Sequence, residues 1–216
     1  GLALMPELGR LIPDDTAIRV AEDDEEMPLP DVGRADGQGD VRPALDRVLD
    51  GEGADCSLNG IAMVRDRQHC DNTTDVDHAI SHCHSSQIYK NILDDRAHTV
   101  FQGRVHVAPD AQKTDAHQMN RNLLLSRNAQ ADCKPELIIH ADDVKCSHGA
   151  TVGDLDQEAL FYLQSRGIDP ETARNMMVHA FAAELLEALP EDSIRPYLEN
   201  AMSLWLKNLT SAEEAA

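Results

Sequence analysis

Between residues 38 and 153 the apolar residues come in short pieces separated by turn signals, and this recurrence constrains the fold more than anything else in the chain. The pieces are Ile61-Ala62-Met63-Val64, Thr99-Val100-Phe101, Val105-His106-Val107, Leu123-Leu124-Leu125, Leu137-Ile138-Ile139 and Ala150-Thr151-Val152. The turn signals between them include Asn59-Gly60, Asp71-Asn72, Pro109-Asp110 and Arg127-Asn128. Such pieces read as short strands. The later ones stand about 10 to 14 residues apart, so a stacked-coil solenoid competes with a sandwich. One Trp, three Tyr and three Phe in 216 residues leave an aliphatic core, which favours stacked coils. Coils also accommodate polar ladders, for which Asn120 and Asn122 are candidates. One helix is expected within this region, over Ser85–Leu93, with Ile88 and Ile92 on one face.

At residue 154 the period changes. Asp154 with Gln157 fits a capping box, Leu160, Phe161 and Leu163 form an apolar face, and Gly167 supplies a stop. Asp169-Pro170 reads as an N-cap followed by proline at the first helical position. A second helix carries Ala173, Met176, Met177, Ala180, Phe181 and Leu185, and a third starts near Asp192 or Ser193 and runs through Leu198, Leu204 and Trp205. That Met-and-aromatic stripe is what a packed helix face requires. The expected organisation is an irregular segment over 1–37, a β body over 38–153, a helical domain over 154–209 and a frayed tail over 210–216. The acidic run Glu22–Glu26 and four prolines place residues 1–37 in the irregular class.

A net charge of −20 excludes phosphate backbones and anionic membrane surfaces as natural partners. No apolar run reaches the length of a membrane helix, and GLALMPELGR has no signal-peptide pattern. Five cysteines, at 56, 70, 83, 133 and 146, form no CxxC pair, so reduced thiols in the cytoplasm are expected. Phosphate-loop, dinucleotide and nucleophile-elbow motifs do not occur.

Two constellations could carry chemistry. His78, His82, Cys83 and His84 have ligand side chains for zinc, copper or iron. On a strand, however, residues 82 and 84 face one way and 83 the other, so polar histidines on a solenoid face explain them equally well. This cluster is the basis of an alternative reading as a stand-alone metal-binding or redox module. In Asp142-Asp143-Val144-Lys145-Cys146-Ser147-His148-Gly149, an extended backbone puts Cys146 and His148 on one face. They could ligate a soft metal, form a Cys–His nucleophile pair, or be a core cysteine beside a surface histidine.

Ordered segments across the chain resemble a known family. They are Val76-Asp77-His78, Ser86-Gln87-x-Tyr89-Lys90, Val100-Phe101-x-Gly103, Ala111-Gln112-Lys113-Thr114-Asp115-Ala116, Asn122–Ser126, Lys134-Pro135-Glu136-Leu137, Ala141–Gly153, Leu160-Phe161-Tyr162-Leu163 and Ser165-Arg166-Gly167-Ile168. Over roughly residues 48 to 190 the chain resembles the SufD-type subunits of the SufB–SufC–SufD iron–sulfur cluster assembly complex. The resemblance implies a mainly β fold, a right-handed parallel β-helix followed by a small α-helical C-terminal domain. It also implies a non-catalytic scaffold that pairs with a SufB-like paralogue and recruits a SufC-like ATPase, with a cysteine desulfurase as the indirect sulfur donor. A self-pair could replace the SufB pair. By the same resemblance, His148 is a ligand of a transient iron–sulfur cluster at the partner interface, with Cys146 as a second candidate. No cofactor is tightly held by the chain alone, and Ser165, Arg166, Gly167 and Ile168 belong to the ATPase-binding region. Family members carry a helical region and earlier coils ahead of the point where the match begins. The chain is therefore expected to be a C-terminal portion with an open first coil.

Overall fold

The computed structural model describes residues 18–22, 40–187 and 195–213. Ten strands come first: β1 (Ile18–Glu22), β2 (Asp40–Val41), β3 (Ala44–Leu49), β4 (Asp55–Val64), β5 (His69–His78), β6 (His84–Leu93), β7 (His98–Val107), β8 (Asp115–Leu124), β9 (Gln130–Ile139) and β10 (Lys145–Asp154). Three helices follow: α1 (Gln157–Ser165), α2 (Pro170–Glu187) and α3 (Arg195–Glu213).

The strands alternate between two sheets. One has the order β1-β4-β6-β8-β10; the other runs β2-β5-β7-β9, with β3 also on β5. From β2 onward all pairing is parallel. Asp55 pairs with His84, His84 with Asp115 and Asp115 with Lys145, so one coil takes about 30 residues and holds two strands. The chain is a parallel β solenoid of about four coils followed by three helices, the expected fold class. The apolar pieces fall on strands, but not one to a half-coil: Thr99–Phe101 and Val105–Val107 both belong to β7, and β5 and β6 carry none of them.

The lumen is built by alternation. In β5 Cys70, Asn72, Thr74, Val76 and His78 are buried, while the residues between them are half-exposed. Stacked lumen side chains include the expected ladder, in which Asn91 Nδ2 donates to Asn122 Oδ1 at 2.7 Å. The outer faces differ. On the β4–β6–β8 sheet, Ile61, Met63, Ile92 and Leu123 form a second core with Val178, Ala182 and Leu185 of α2 and Leu198, Met202 and Trp205 of α3.

Several expectations need correction. Ser85–Leu93 lies within strand β6, not a helix. Positions i and i+4 share a face under a period of 2 as well as 3.6, and helices cover the outer face that Ile88 and Ile92 occupy. Residues 18–22 form a strand, although 1–37 reads as irregular. Antiparallel pairing of β1 with β4 covers the first edge of that sheet, which the sequence suggested was open. The rest of 1–37 lies outside the described residues, as does the expected start of the third helix near 192. The helix at the C-terminal end extends to Glu213, through part of the segment read as a frayed tail. The cap of α1 is Asp156, whose carboxylate accepts from Glu158 N and Ala159 N, not Asp154, which ends β10. Phe161 is 73% exposed and takes no part in an apolar packing face.

Candidate functional site

The stack ends at β9 and β10. Among the described residues β10 pairs only with β8, and β9 only with β7. Lumen-facing positions that are sealed in earlier coils are open here. Leu58, Gln87 and Gln118 are buried, and the next residue in that ladder column is His148, which is exposed. Val152, at an inward position of β10, is 51% exposed. Pro135 lies in the middle of β9, where proline is tolerated because an edge strand need not donate on both sides.

Cys146 and His148 share the inward face of β10, as the extended reading required. Their environments differ. Cys146 packs half-buried against the lumen core, as do Leu137 and Val144. Burial pushes its thiol pKa up; a backbone hydrogen bond with Ala116 opposes this, and the Asp115 charge adds to it. A raised thiol pKa works against a thiolate nucleophile, so this environment does not favour a Cys–His enzyme. Ser147 faces outward, where its hydroxyl meets His117 Nδ1 at 2.6 Å, and His117 Nε2 lies 2.8 Å from Asp115. Lys113 and Asp143 form an ion pair in the turn that leads into β10.

The same end coil contains a residue that sequence reasoning passed over. Cys133, on β9, donates through Sγ to Asn120 Oδ1 at 2.9 Å and accepts from Asn122 Nδ2 at 3.2 Å. The signal was present: position 133 is two before Pro135 and so shares its face. The burial of Cys133 raises its thiol pKa too.

The four residues of the alternative metal module do not converge. His78 is fully buried in the lumen, with Nε2 2.8 Å from Ser85 Oγ. His82 is exposed in a turn at φ 62°. Cys83 is buried, with its thiol on Gly51 O at 3.2 Å, and His84 faces outward, paired with Asp55 at 3.0 Å. Among the described residues no group of three or more His, Cys, Asp or Glu stands close enough to hold a metal ion.

Two residues after β10 a second surface begins. Phe161 and Tyr162 of α1 are 73% and 57% exposed and line a shallow depression with Gln157, Glu158 and Ser165. Ser165–Ile168 closes the helix. Gly167 at φ 87° donates to Gln164 O, and Ile168 N donates to Leu163 O, the paired bonds of a Schellman stop that needs a left-handed residue. Arg166 stacks over the Tyr162 ring at 5.0 Å. No described helix is long and apolar enough to cross a membrane.

Comparison with known proteins agrees with this architecture. The family described as the SufBD core domain of SUF-system FeS cluster assembly matches residues 35–181. The iron–sulfur cluster assembly protein SufD of Escherichia coli is 46% identical over 147 residues, covering 68% of this chain and 35% of that protein. A SufBD family protein of Synechocystis is 46% identical over 127 residues, 58% of this chain and 28% of the relative. SufD of Plasmodium berghei is 34% identical over 137 residues, 63% of this chain and 10% of the relative. The chain therefore spans about a third or less of the length of these relatives. A two-sheet parallel solenoid with a helical layer on one face, matched across most of its length, makes the chain a member of the SufBD family of SUF-system iron–sulfur cluster assembly.

Proposed function

We propose that the chain is a non-catalytic scaffold subunit of cytoplasmic iron–sulfur cluster assembly. It presents His148 on the unpaired edge of its last coil to a SufB-like partner, whose thiolate completes a transient cluster site. The cluster is cargo, shared across the interface and not tightly held by this chain alone. A cysteine desulfurase supplies sulfur to the assembled complex. The observation that carries the reading is the exposure of His148 in a column that is buried in every earlier coil. Mixed Cys/His ligation occurs in iron–sulfur centres, so an imidazole from this chain and a thiolate from a second chain are a chemically matched pair. Cys146, whose thiol pKa is raised, is the weaker ligand candidate.

The test uses the complex co-expressed with SufB-like and SufC-like partners and purified without oxygen. His148→Ala should leave assembly intact and lower iron content and visible absorbance about tenfold or more, since losing even an outer-shell partner costs ~10–100-fold in metal affinity. His148→Cys should restore part of the signal. Full cluster content in the His148→Ala complex overturns the ligand role.

We assign the SufC-like ATPase to α1 and the adjoining Ser165, Arg166, Gly167 and Ile168. Support comes from the exposed Phe161 and Tyr162, since aromatics at a patch centre are typical binding anchors. Deleting the helices is an unsuitable test, because α2 and α3 cover Ile61, Met63, Ile92 and Leu123 of the sheet. Phe161→Asp with Tyr162→Ser leaves that core untouched. It should abolish co-purification of the ATPase while SufB-like pairing persists; retention of the ATPase refutes the assignment.

A further inference from the structure

We infer that Gln118 is a positioning residue for His148: rotation of the exposed imidazole brings one of its N–H groups onto the unpartnered amide oxygen of Gln118, which aims the other ring nitrogen out of the stack. This rests on the reading of His148 as a ligand. Gln118 stands on the lumen face of β8 and is 2% exposed. Its Nε2 donates to Gln87 Oε1 at 3.3 Å, and the same oxygen takes the Thr74 hydroxyl at 2.8 Å. The bond to Gln87 turns the Gln118 amide nitrogen back into the stack.

The other end, Gln118 Oε1, is buried and has no hydrogen-bond partner among the described residues. A buried amide oxygen left so is destabilising until a donor reaches it. Gln118 is also held in place. At Gly103, directly across the lumen, a Cβ would fall 2.2 Å from Gln118 Nε2 and 2.7 Å from its Cδ, so the amide fills space that only a glycine leaves. With Gln87 behind it and β7 beside it, the remaining neighbour in the column is His148, the direct ladder partner of Gln118. In-register strands stand about 4.8 Å apart, within reach of an amide-to-imidazole hydrogen bond.

The chemistry fits a ligand. A histidine that donates one N–H to a carbonyl has its tautomer and ring orientation fixed, leaving the other nitrogen's lone pair free for a metal. A freely turning surface imidazole offers that lone pair in only part of its orientations.

The test reads the imidazole directly. In the nitrogen-15-labelled full chain at pH 8, where an ordinary imidazole is neutral, long-range correlation spectra report tautomer populations. The His148 signal is identified by its loss in His148→Ala. Wild type should show one dominant tautomer. Gln118→Met, similar in length but lacking the acceptor, should show the mixture of an unrestrained imidazole, and Gln118→Glu should keep one tautomer. If Gln118→Met does not fold, Gln118→Asn, which keeps an amide but withdraws it, replaces it and should behave likewise. In the assembled complex the acceptor-less variant should retain about tenfold less iron, with Gln118→Glu partly restored. Tautomer populations or iron contents that match wild type overturn the inference. If His148→Ala leaves the cluster unchanged, the ligand reading itself fails. If His148→Ala loses the cluster while the Gln118 variants change nothing, only the role of Gln118 falls.

Discussion

His78 and Cys146 show how much one side chain's environment decides. His78 is sealed in the lumen, and burial lowers its pKa to about 4, with the Asp77 charge opposing and His84 adding to the shift. The unfolded chain therefore takes up this proton first as pH falls. The contribution is fully present above the ordinary value of about 6.5 and is lost as pH drops towards 4, on the order of 3 kcal/mol in all. The urea midpoint should fall more steeply between pH 7 and pH 4.5 for wild type than for His78→Gln. Equal slopes would acquit His78. For Cys146 the raised pKa has a kinetic consequence: at neutral pH iodoacetamide should label it no faster than an ordinary exposed thiol. Rapid, single-site labelling would reopen the nucleophile reading. The shared face of Cys146 and His148 was legible from strand alternation alone. Their unequal exposure was not, because it depends on β10 being the last strand to pair, which no local pattern encodes.

Among the elements, α2 is joined to the solenoid by an unusual contact. Lys90, on the outer face of β6, is 1% exposed; its ammonium donates to Phe181 O at 2.6 Å and Glu184 Oε2 at 2.7 Å and lies 4.9 Å from the Phe181 ring centre. Arg121 reaches the same carboxylate at 2.6 Å, and the Lys90 hydrogen bond leads the causes that lower the Glu184 pKa. Stranding a buried charge costs more than removing it. Glu184→Ala should therefore destabilise the chain by about 2 kcal/mol, a figure reduced from that for fully buried pairs because Glu184 is largely exposed. Lys90→Met should cost clearly less. Thermal melts of the two variants decide the order, and a costlier Lys90→Met would show that the lysine's own bonds dominate. This contact also explains the misread element. Ile88 and Ile92 pack on helices, as a helix face would, and only the buried alternation of Ser85, Gln87, Tyr89 and Asn91 betrays a strand. Those lumen residues are mostly polar, so a hydrophobic pattern could not reveal them. By contrast, the cap at Asp169, which accepts from Thr172 N at 2.9 Å, and the stop at Gly167 are local chemistry and were readable.

For the whole molecule, the exposed β9–β10 end is a template for another strand, with Val152 and Ile139 exposed along it. Isolated chains should associate through this end, and more strongly at high salt, because a net charge of −20 repels until it is screened. Sedimentation at rising concentration should detect the association, and Val152→Lys should weaken it; an unchanged monomer at all concentrations would mean the end is already blocked. The two-sheet plan as a whole was only partly readable. The recurrence of short pieces pointed to stacking, yet two strands per coil and the antiparallel β1 follow from long-range pairing. That one-sided pairing also has a consequence in time. Coils stabilise one another only through their neighbours, so the free energy of opening falls towards an end. Amide protons of β10 should exchange with solvent well before those of β6, whose partners lie on both sides. Any body laid against β10 slows that exchange by the free energy of its own binding, so the breathing of the last coil becomes a clock that reports when the edge is occupied.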